Sequence, residues 1–268
     1  MNVSKLDFKI RPIGKNTCFE FVSKHHYSKI RPKLTRVCLG GFIENKMVAV
    51  ISLGWGVRPI HTIKKLFPSL TTKDYFEIGK MCVDDIMSKN TESQFLKQVI
   101  LWTKLNLPNI KLIFTWADGM LGKPGYVYQA SNFLYGGFIW TDTYFLNGEK
   151  IHPRATGKIG GRPSKRLMEK MGILHYRGKQ FRYIYFLCSN KERKLLLKST
   201  KFLWTTLNMP KEKDIQWLVY KNGKWIASEK PIYNRNNTNF ASGASFKRET
   251  SLFQSEEFGA IPKSRFTF

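Results

Sequence analysis

Hydrophobic residues fall into short runs along the chain, and these runs predict strands that alternate with amphipathic helices. The predicted strands are residues 8–13, 36–42, 47–55, 75–83, 112–117, 138–146 and 183–188. The predicted helices run from residue 16 or 17 to 28, from 94 to 105 and from 191 to 207, with a short helical run from 126 toward 133. Turn residues at 44–46 and 222–223 predict two hairpins, and residues 54–72 predict a loop that either covers a site or is an ordinary surface excursion.

The run at residues 112–117 is apolar or β-prone without alternation, which is typical of a strand covered on both faces. Asp118 is the first charged residue after it, and a glycine-rich turn follows at residues 119–125. Because ligands of open α/β sheets bind beyond the carboxyl ends of strands, we expect Asp118 to lie where a reacting group is placed. The competing interpretation is that Asp118 only caps the next segment, and the sequence leaves both open.

Polar residues also mark three other predicted elements. His26 and Tyr27 lie at the end of the first helix, where an imidazole and a phenol offer a base, a hydrogen-bond donor and metal ligands. Lys80 is the only basic residue of the strand at 75–83. Asn90 and Ser93 precede the helix at 94–105, whose free N–H groups predict an anion site, with simple capping as the alternative.

The formal net charge of +26, from 45 basic and 19 acidic residues, narrows the choice of partner. A surface this basic is typical of a protein that binds a polyanion, usually nucleic acid. A membrane surface is the weaker alternative, because no stretch resembles a basic amphipathic helix and none has the length of a membrane span. The length of 268 residues fits one large domain or one domain with an appendage.

The positive charge is concentrated at residues 150–182, which hold ten Lys and Arg residues and one acid, Glu169. The loop-like run at 160–166 is suited to follow a phosphate backbone. A solvated face is the alternative, but the coincidence of glycine, aromatic residues and one sign of charge favours binding. The residues predicted to bind nucleic acid are Arg162, Lys165, Arg166, Arg177, Lys179 and Arg182.

Four separated cysteines in apolar surroundings predict reduced core residues, and the N-terminal residues lack the apolar run of a signal peptide. These features predict a soluble, cytoplasmic protein. The sequence contains no Cys/His zinc spacing, no Walker loop and no Gly-x-Gly-x-x-Gly motif.

The order of strand, helix, antiparallel hairpin, strand, helix, strand, helix, strand resembles the acyltransferase fold of the GNAT superfamily. Within that superfamily, the residues resemble the phage Mom proteins, which modify adenines in viral DNA. The similarity covers roughly residues 8–211 and rests on five separated motifs in one order, which is more specific than any one motif. The motifs are His26-Tyr27-Ser28, Lys80-Met81-Cys82-Val83, the run from Asn90 to Ser93, Ala117-Asp118 and the run from Gly125 to Tyr128.

The resemblance implies an α/β (α+β) fold with a GNAT-like mixed, mostly antiparallel central sheet flanked by helices and a basic C-terminal extension. It implies an active site that includes Ser93 and has Lys80 at the family's basic strand-end position. The resulting assignment is catalytic for His26, Tyr27, Asp118 and Tyr128, and cofactor-binding for Lys80, Asn90 and Ser93. The resemblance also implies a link to iron, for which His26 and Tyr27 would be ligands.

The family product, N6-carbamoylmethyl adenine, bears on the group donor. A carbamoylmethyl group and a glycyl group have the same atoms in a different connection, so a glycyl group delivered as glycyl-tRNA and rearranged on adenine needs no redox change. GNAT enzymes normally hold acetyl-CoA on a Gln/Arg-x-x-Gly-x-Gly/Ala loop, and residues 88–93 contain no glycine. The donor stays open between glycyl-tRNA and acetyl-CoA.

We therefore predict an enzyme that adds a carbamoylmethyl group to N6 of adenine in double-stranded DNA after base flipping, protecting phage DNA from restriction in the host cell cytoplasm. The alternatives are a GNAT-type N-acetyltransferase acting on protein or tRNA and a non-catalytic basic DNA-binding protein. A tRNA is a second candidate partner, no membrane is expected, and a homodimer stays open. The predicted organisation is a catalytic domain at 1–190 that includes the basic DNA-binding segment 150–182, a basic helix and hairpin at 191–228, and an extended or disordered tail at 229–268.

Overall fold

The computed structural model describes residues 6–28, 30–151 and 164–232. The strands are β1 (Lys9–Pro12), β2 (Leu34–Ile43), β3 (Lys46–Trp55), β4 (Tyr75–Val83), β5 (Leu112–Asp118), β6 (Leu134–Leu146), β7 (Glu149–Ile151), β8 (Leu174–Phe186), β9 (Trp217–Lys221) and β10 (Lys224–Ser228). The α-helices are α1 (Lys15–His25), α2 (Pro59–Leu66), α3 (Thr91–Asn106), α4 (Tyr126–Ala130), α5 (Lys165–Lys170) and α6 (Asn190–Ser199).

The described strands form one sheet in the order β1-β2-β3-β4-β5-β8-β6-β7, with β9 paired to β8 and β10 paired to β9. Among these pairings, only that of β4 with β5 is parallel. It is short, running from Tyr75 opposite Leu112 to Glu77 opposite Phe114. Beyond these residues the two strands diverge, so their carboxyl ends frame an open wedge in the middle of the sheet.

A β-bulge lies in β4 where this wedge opens. The register of β3 against β4 shifts between Ser52 and Leu53, which leaves Gly79 as the extra residue. A Cβ atom at Gly79 would lie 2.9 Å from a ring carbon of Pro32 and 3.0 Å from Ser52 Oγ, so only glycine fits without displacement. Because a bulge bends the strand that carries it, we attribute the divergence of β4 from β5 to this position.

Helices cover both faces of the sheet. On one face, α3 packs Phe95 into the cluster that contains Ile113 of β5. On the other face, α2 packs Ile63 into the cluster that contains Leu112 and Phe114. The strand before Asp118 is therefore covered on both faces, as its continuous apolar run predicts. No helix in the described ranges is long and apolar enough to cross a membrane.

Three of the four cysteines pack under α1. Cys18, Cys38 and Cys82 are buried in one apolar cluster with Val22 and Val50, and Cys188 is partly exposed. All four are free thiols. The prediction of reduced core cysteines is therefore confirmed for the three that lie under this helix.

The predicted mixed, mostly antiparallel sheet flanked by helices is confirmed. The predicted loop at 54–72 is wrong, because Pro59–Leu66 is a helix whose Ile63 and Leu66 are buried against the sheet. The predicted strand at 183–188 is the second half of β8, and the predicted helix at 191–207 ends at Ser199. After that helix the chain turns back, and Thr205 forms an isolated β-bridge with Tyr135.

Residues 191–228 are part of the same folded unit as the strands that precede them. β9 pairs with β8, and Leu196 of α6 is buried in a core cluster with residues of β4, β5 and β8. These contacts cross the boundary that the sequence predicts at residue 190. Most of the predicted tail, residues 233–268, lies outside the described residues.

Candidate active site

The wedge between β4 and β5 forms a cleft of about 470 Å³. The end of α1, the turn after β5 and the start of α4 contribute to its walls. The predicted site residues that line it are His26, Tyr27, Lys80, Asp118 and Tyr128. Residues from four separate motifs thus meet in one cleft, at the carboxyl ends of two adjacent strands.

His26 follows the last residue of α1 and is held by the backbone of Ser28. Its Nδ1 lies 2.9 Å from the Ser28 backbone nitrogen and 3.0 Å from the Ser28 carbonyl oxygen, so it accepts from the N–H when unprotonated and donates to the carbonyl when protonated. Burial, followed by the charge of Lys80, lowers the pKa of His26 to about 4. The Tyr27 ring stacks on it with 4.1 Å between centroids. His26 is therefore a neutral imidazole near pH 7 that can form hydrogen bonds at the cleft.

Two lysines, Lys80 and Lys123, lie close to Tyr27 and Ser28 in the cleft. Lys80 Nζ donates to Ser28 Oγ at 2.8 Å, and Lys123 Nζ lies 4.5 Å from the centroid of the Tyr27 ring. Burial, followed by the charge of Lys150, lowers the pKa of Lys80 to about 8. A lysine with a pKa this close to neutral pH can donate and accept a proton during a reaction.

Asp118 both caps a turn and lines the cleft. Its Oδ1 accepts the Met120 N–H at 3.0 Å at the start of the 3₁₀ turn Gly119–Leu121. Burial raises the pKa of Asp118 above the ordinary value, although Lys150 and two backbone N–H groups act in the opposite direction. Asp118 therefore caps the turn, and the same carboxyl group lies in the cleft beyond the strand, so both interpretations stay open.

Tyr128 reaches the cleft from α4. Burial raises the pKa of its hydroxyl, which is hydrogen-bonded to Thr115 of β5, so the phenol is protonated at neutral pH. Gly125 precedes this helix with φ +99°, and a Cβ atom there would lie 2.6 Å from a ring carbon of Tyr183. Only glycine permits this turn, and the turn sets the position of Tyr128.

The start of α3 differs from the expected anion site. Among the described residues, Glu92 lines the cleft, and Asn90 and Ser93 do not. Asn90 has φ 68°, and its carbonyl accepts from Ser93 Oγ at 2.9 Å. A carboxylate in the first turn repels the phosphates of a CoA donor, and residues 88–93 offer no glycine for close backbone approach. This helix terminus does not fit the pyrophosphate of acetyl-CoA.

His26 and Tyr27 do not fit an iron centre. In the part of the chain that the structure describes, no group of three or more His, Cys, Asp or Glu residues could hold a metal ion. The Nδ1 atom of His26 is already hydrogen-bonded to the Ser28 backbone. Lys80 and Lys123 lie within 6.0 and 4.5 Å of the Tyr27 ring, so a bound cation would meet two positive charges. The expectation of iron at this pair is not supported.

Of the six predicted DNA-binding residues, Lys165, Arg166 and Lys179 are at least partly exposed to solvent, and Arg162 lies outside the described residues. Lys165 and Arg166 are exposed in the first turn of α5. Lys179 donates to the carbonyl oxygen of Asp214 at 3.1 Å and remains partly exposed.

The other two predicted DNA-binding residues, Arg177 and Arg182, make contacts within the sheet. Arg177 forms a bidentate pair with Asp142, with Nε at 2.7 Å and a terminal nitrogen at 3.2 Å. Arg182 is only 8% exposed and donates to the carbonyl oxygen of Phe138 at 3.2 Å. Neither guanidinium group is presented to a phosphate backbone, because cross-strand packing between β6 and β8 occupies both.

Sequence reasoning missed several charged and polar residues of the cleft. Lys123 could have been predicted from the sequence, because it lies in the glycine-rich turn directly after Asp118. Thr115 could also have been predicted, because strand alternation places it on the same face as Ala117. Glu92 and Glu212 carry no such signal, since only the folded chain brings them to the lining.

Comparison with known proteins adds a family match. The Mom protein family matches residues 7–203 of the chain. A curated relative, the methylcarbamoylase mom of Escherichia phage Mu, is 28% identical over 184 residues, which are 67% of this chain and 76% of that protein.

Acetyltransferases of low sequence identity are among the solved structures that match the chain. An N-acetyltransferase from Staphylococcus aureus Mu50 is 14% identical, with 68% of this chain and 98% of that chain covered and a TM-score of 0.38. NAA60 of Arabidopsis thaliana, in complex with a bisubstrate analogue, is 9% identical, with 67% and 98% covered and a TM-score of 0.43. A Bacillus subtilis acetyltransferase in complex with CoA is 12% identical, with 68% and 100% covered and a TM-score of 0.36. Similarity this low assigns no residue of the cleft.

Proposed function

The chain belongs to the Mom protein family, and we propose that it transfers a carbamoylmethyl group to N6 of adenine in double-stranded DNA. It is an enzyme, as is the curated methylcarbamoylase in phage Mu. The observation that carries the proposal is that Asp118, with a raised pKa, and Lys80, with a lowered pKa, line one cleft. Groups whose pKa values are moved toward neutral pH are suited to accept one proton and to donate another in the same reaction.

Asp118 acts on the acceptor. The exocyclic amine of adenine loses one proton when it forms the new N–C bond. The Asp118 carboxylate accepts that proton, and its raised pKa makes it a stronger base than an ordinary aspartate. The hydrogen bond from the Met120 N–H fixes the carboxylate in place during the transfer.

Lys80 acts on the donor, which we propose to be a glycyl ester of tRNA. The N6 atom attacks the glycyl carbonyl, the ester C–O bond breaks, and the leaving oxygen takes a proton from Lys80. The bound glycyl unit then rearranges. The bonds from N6 to the carbonyl carbon and from the methylene carbon to the amino nitrogen break, and bonds from N6 to the methylene carbon and from the carbonyl carbon to the amino nitrogen form, which gives the carbamoylmethyl group. Atoms and oxidation state balance, and the proton on Asp118 returns to Lys80 through solvent.

The remaining residues position the base. N6 of adenine lies within the stacked duplex, so the target base must be extruded to reach the cleft. A cleft of about 470 Å³ is within the size range of small-molecule sites and accommodates one base. Neutral His26 and Tyr27 offer hydrogen bonds to it, and the Tyr128 ring offers a contact surface. In this way phage DNA would be protected from restriction nucleases.

The proposal is tested in cells that express the protein and grow on glycine labelled in both carbons and in nitrogen. We expect DNA from these cells to resist restriction enzymes that cut the unmodified sequence. We also expect the whole labelled glycyl unit to appear in a modified deoxyadenosine. A modified nucleoside without label would refute the glycyl donor. Full digestion of the DNA in the presence of abundant soluble protein would refute the function.

Replacing Lys165 and Arg166 by Ala is expected to weaken DNA binding and to flatten its salt dependence. Each lost phosphate contact should lower the slope of log affinity against log salt by roughly 0.9. Fluorescence anisotropy of a labelled duplex over a salt series measures this slope. Lys97→Ala, at an exposed position of α3, is the matched control and should leave the slope unchanged. If the double variant has the same salt slope as the unmodified protein, α5 is only a solvated face.

A further inference from the structure

A second pocket of about 730 Å³ lies beside the cleft, between β6, β8 and the segment at residues 206–214. It combines an aromatic wall with a basic rim. The lining residues that matter here are Tyr135, Phe138, Phe181, Lys179, Lys211 and Lys213.

The aromatic wall continues onto the surface of β6. Phe138 and Trp140 alternate along this strand, so they share one face, and they are 39% and 41% exposed. Their ring centroids are 5.7 Å apart in an edge-to-face arrangement. Lys179 pairs with Trp140 from β8, and its Nζ lies 4.7 Å from the Phe138 centroid and 5.7 Å from that of Trp140. Exposed rings with a cation above them form a surface on which planar groups can stack.

The rim of the pocket is positively charged. Three lysines line it together with one acid, Asp214. The Asp214 carboxylate accepts the Lys211 backbone N–H at 2.8 Å, and its carbonyl oxygen accepts from Lys179 Nζ. The acid is thus engaged with the pocket's own segment, and Lys211 and Lys213 are exposed to solvent.

The pocket and the cleft share a wall. Lys211 lines the pocket, and the next residue, Glu212, lines the cleft. The Glu212 N–H donates to the hydroxyl of Tyr126 at 3.3 Å, and Tyr126 also lines the cleft. A DNA strand bound in the cleft can therefore extend into the pocket.

We propose that this pocket binds an unpaired nucleotide of the DNA strand, next to the extruded adenine. Aromatic side chains stack on bases of any sequence, and lysines beside them contact the phosphates, which is the common arrangement of single-strand sites. A paired base offers no free face for such stacking. The inference rests on the proposed function for its DNA partner, and it adds a second site that holds the strand open.

The test compares Trp140→Ala and Lys213→Glu with the unmodified protein, using a labelled single-stranded DNA oligonucleotide and a blunt duplex of the same sequence. Both positions are exposed, and melting temperature and circular dichroism report whether the fold is kept. We expect Trp140→Ala to bind the single strand roughly tenfold more weakly, with little change for the duplex. Lys213→Glu should also lower the salt slope on the single strand by roughly 0.7 per lost phosphate contact, whereas the charge-matched control Lys97→Glu should not.

Single-strand affinity that is unchanged in both variants would overturn the proposal. An RNA of the same sequence that binds more tightly than the DNA, with the same dependence on Trp140, would overturn its assignment to DNA. Because binding requires no transfer, the two proposals fail separately. Modified DNA without Trp140-dependent binding refutes only the pocket, and Trp140-dependent binding without modified DNA refutes only the reaction.

Discussion

Asp118→Asn is expected to lower DNA modification by roughly a hundredfold or more while the fold stays intact. Asn caps a turn about as well as Asp and has nearly the same shape, so the hydrogen bond from the Met120 N–H should persist. The substitution removes the carboxylate that accepts a proton from the adenine amine. The measurement is modified deoxyadenosine per unit of soluble protein, with melting temperature and duplex affinity recorded for the same preparations.

Asp7→Asn is the matched control, because Asp7 is an exposed acid outside the cleft, and it should keep full activity. Full activity in Asp118→Asn would remove Asp118 from the chemistry and leave it as a cap. If Asp118→Asn loses activity and also has a lowered melting temperature, the substitution acts through the stability of the fold.

Lys80→Met is expected to cause a loss of similar size, roughly a hundredfold, because it removes the proton donor to the leaving oxygen. The pH dependence distinguishes this role from a structural one. Lys80 must be protonated to act, and burial lowers its pKa to about 8, so the rate should fall as pH rises through about 8. The rate should also fall at acid pH, where Asp118 takes up a proton, and this loss should begin above the usual range for a carboxyl because burial raises the pKa of Asp118.

Lys80→Arg separates charge from proton transfer. Arg keeps the positive charge at all accessible pH values, so any remaining activity should lack the alkaline loss. His26 does not account for that loss, because its pKa is lowered to about 4. An alkaline loss that persists unchanged in Lys80→Arg would contradict the role of Lys80, and Lys97→Met should behave as the unmodified protein does.

The position of Asp118 was predictable because the run before it has one physical explanation. A continuous apolar stretch of that length fits a strand with both faces covered, and a charge directly after it fits a strand end. Local chemistry also identified His26 and Tyr27. The predicted helix extended to residue 28, but α1 ends at His25, and this leaves His26 free to turn its ring toward the Ser28 backbone.

The wedge itself was not predictable from the sequence. We attribute it to the bulge at Gly79, where Pro32 and Ser52 lie close to the β4 backbone. Contacts between residues so distant in the sequence leave no local pattern. For the same reason, the contacts of Arg177 and Arg182 could not be predicted from the sequence. Both belong to a basic run by composition, but their environments are set by β6, which lies against β8 only in the folded chain.

Mass spectrometry of nucleosides from the DNA of cells that express the protein tests the central claim most directly. We predict a deoxyadenosine that carries a carbamoylmethyl group on N6, present with the unmodified protein and strongly reduced with equal soluble amounts of Asp118→Asn. The account would be contradicted if only unmodified deoxyadenosine were found while the protein is abundant, soluble and bound to DNA.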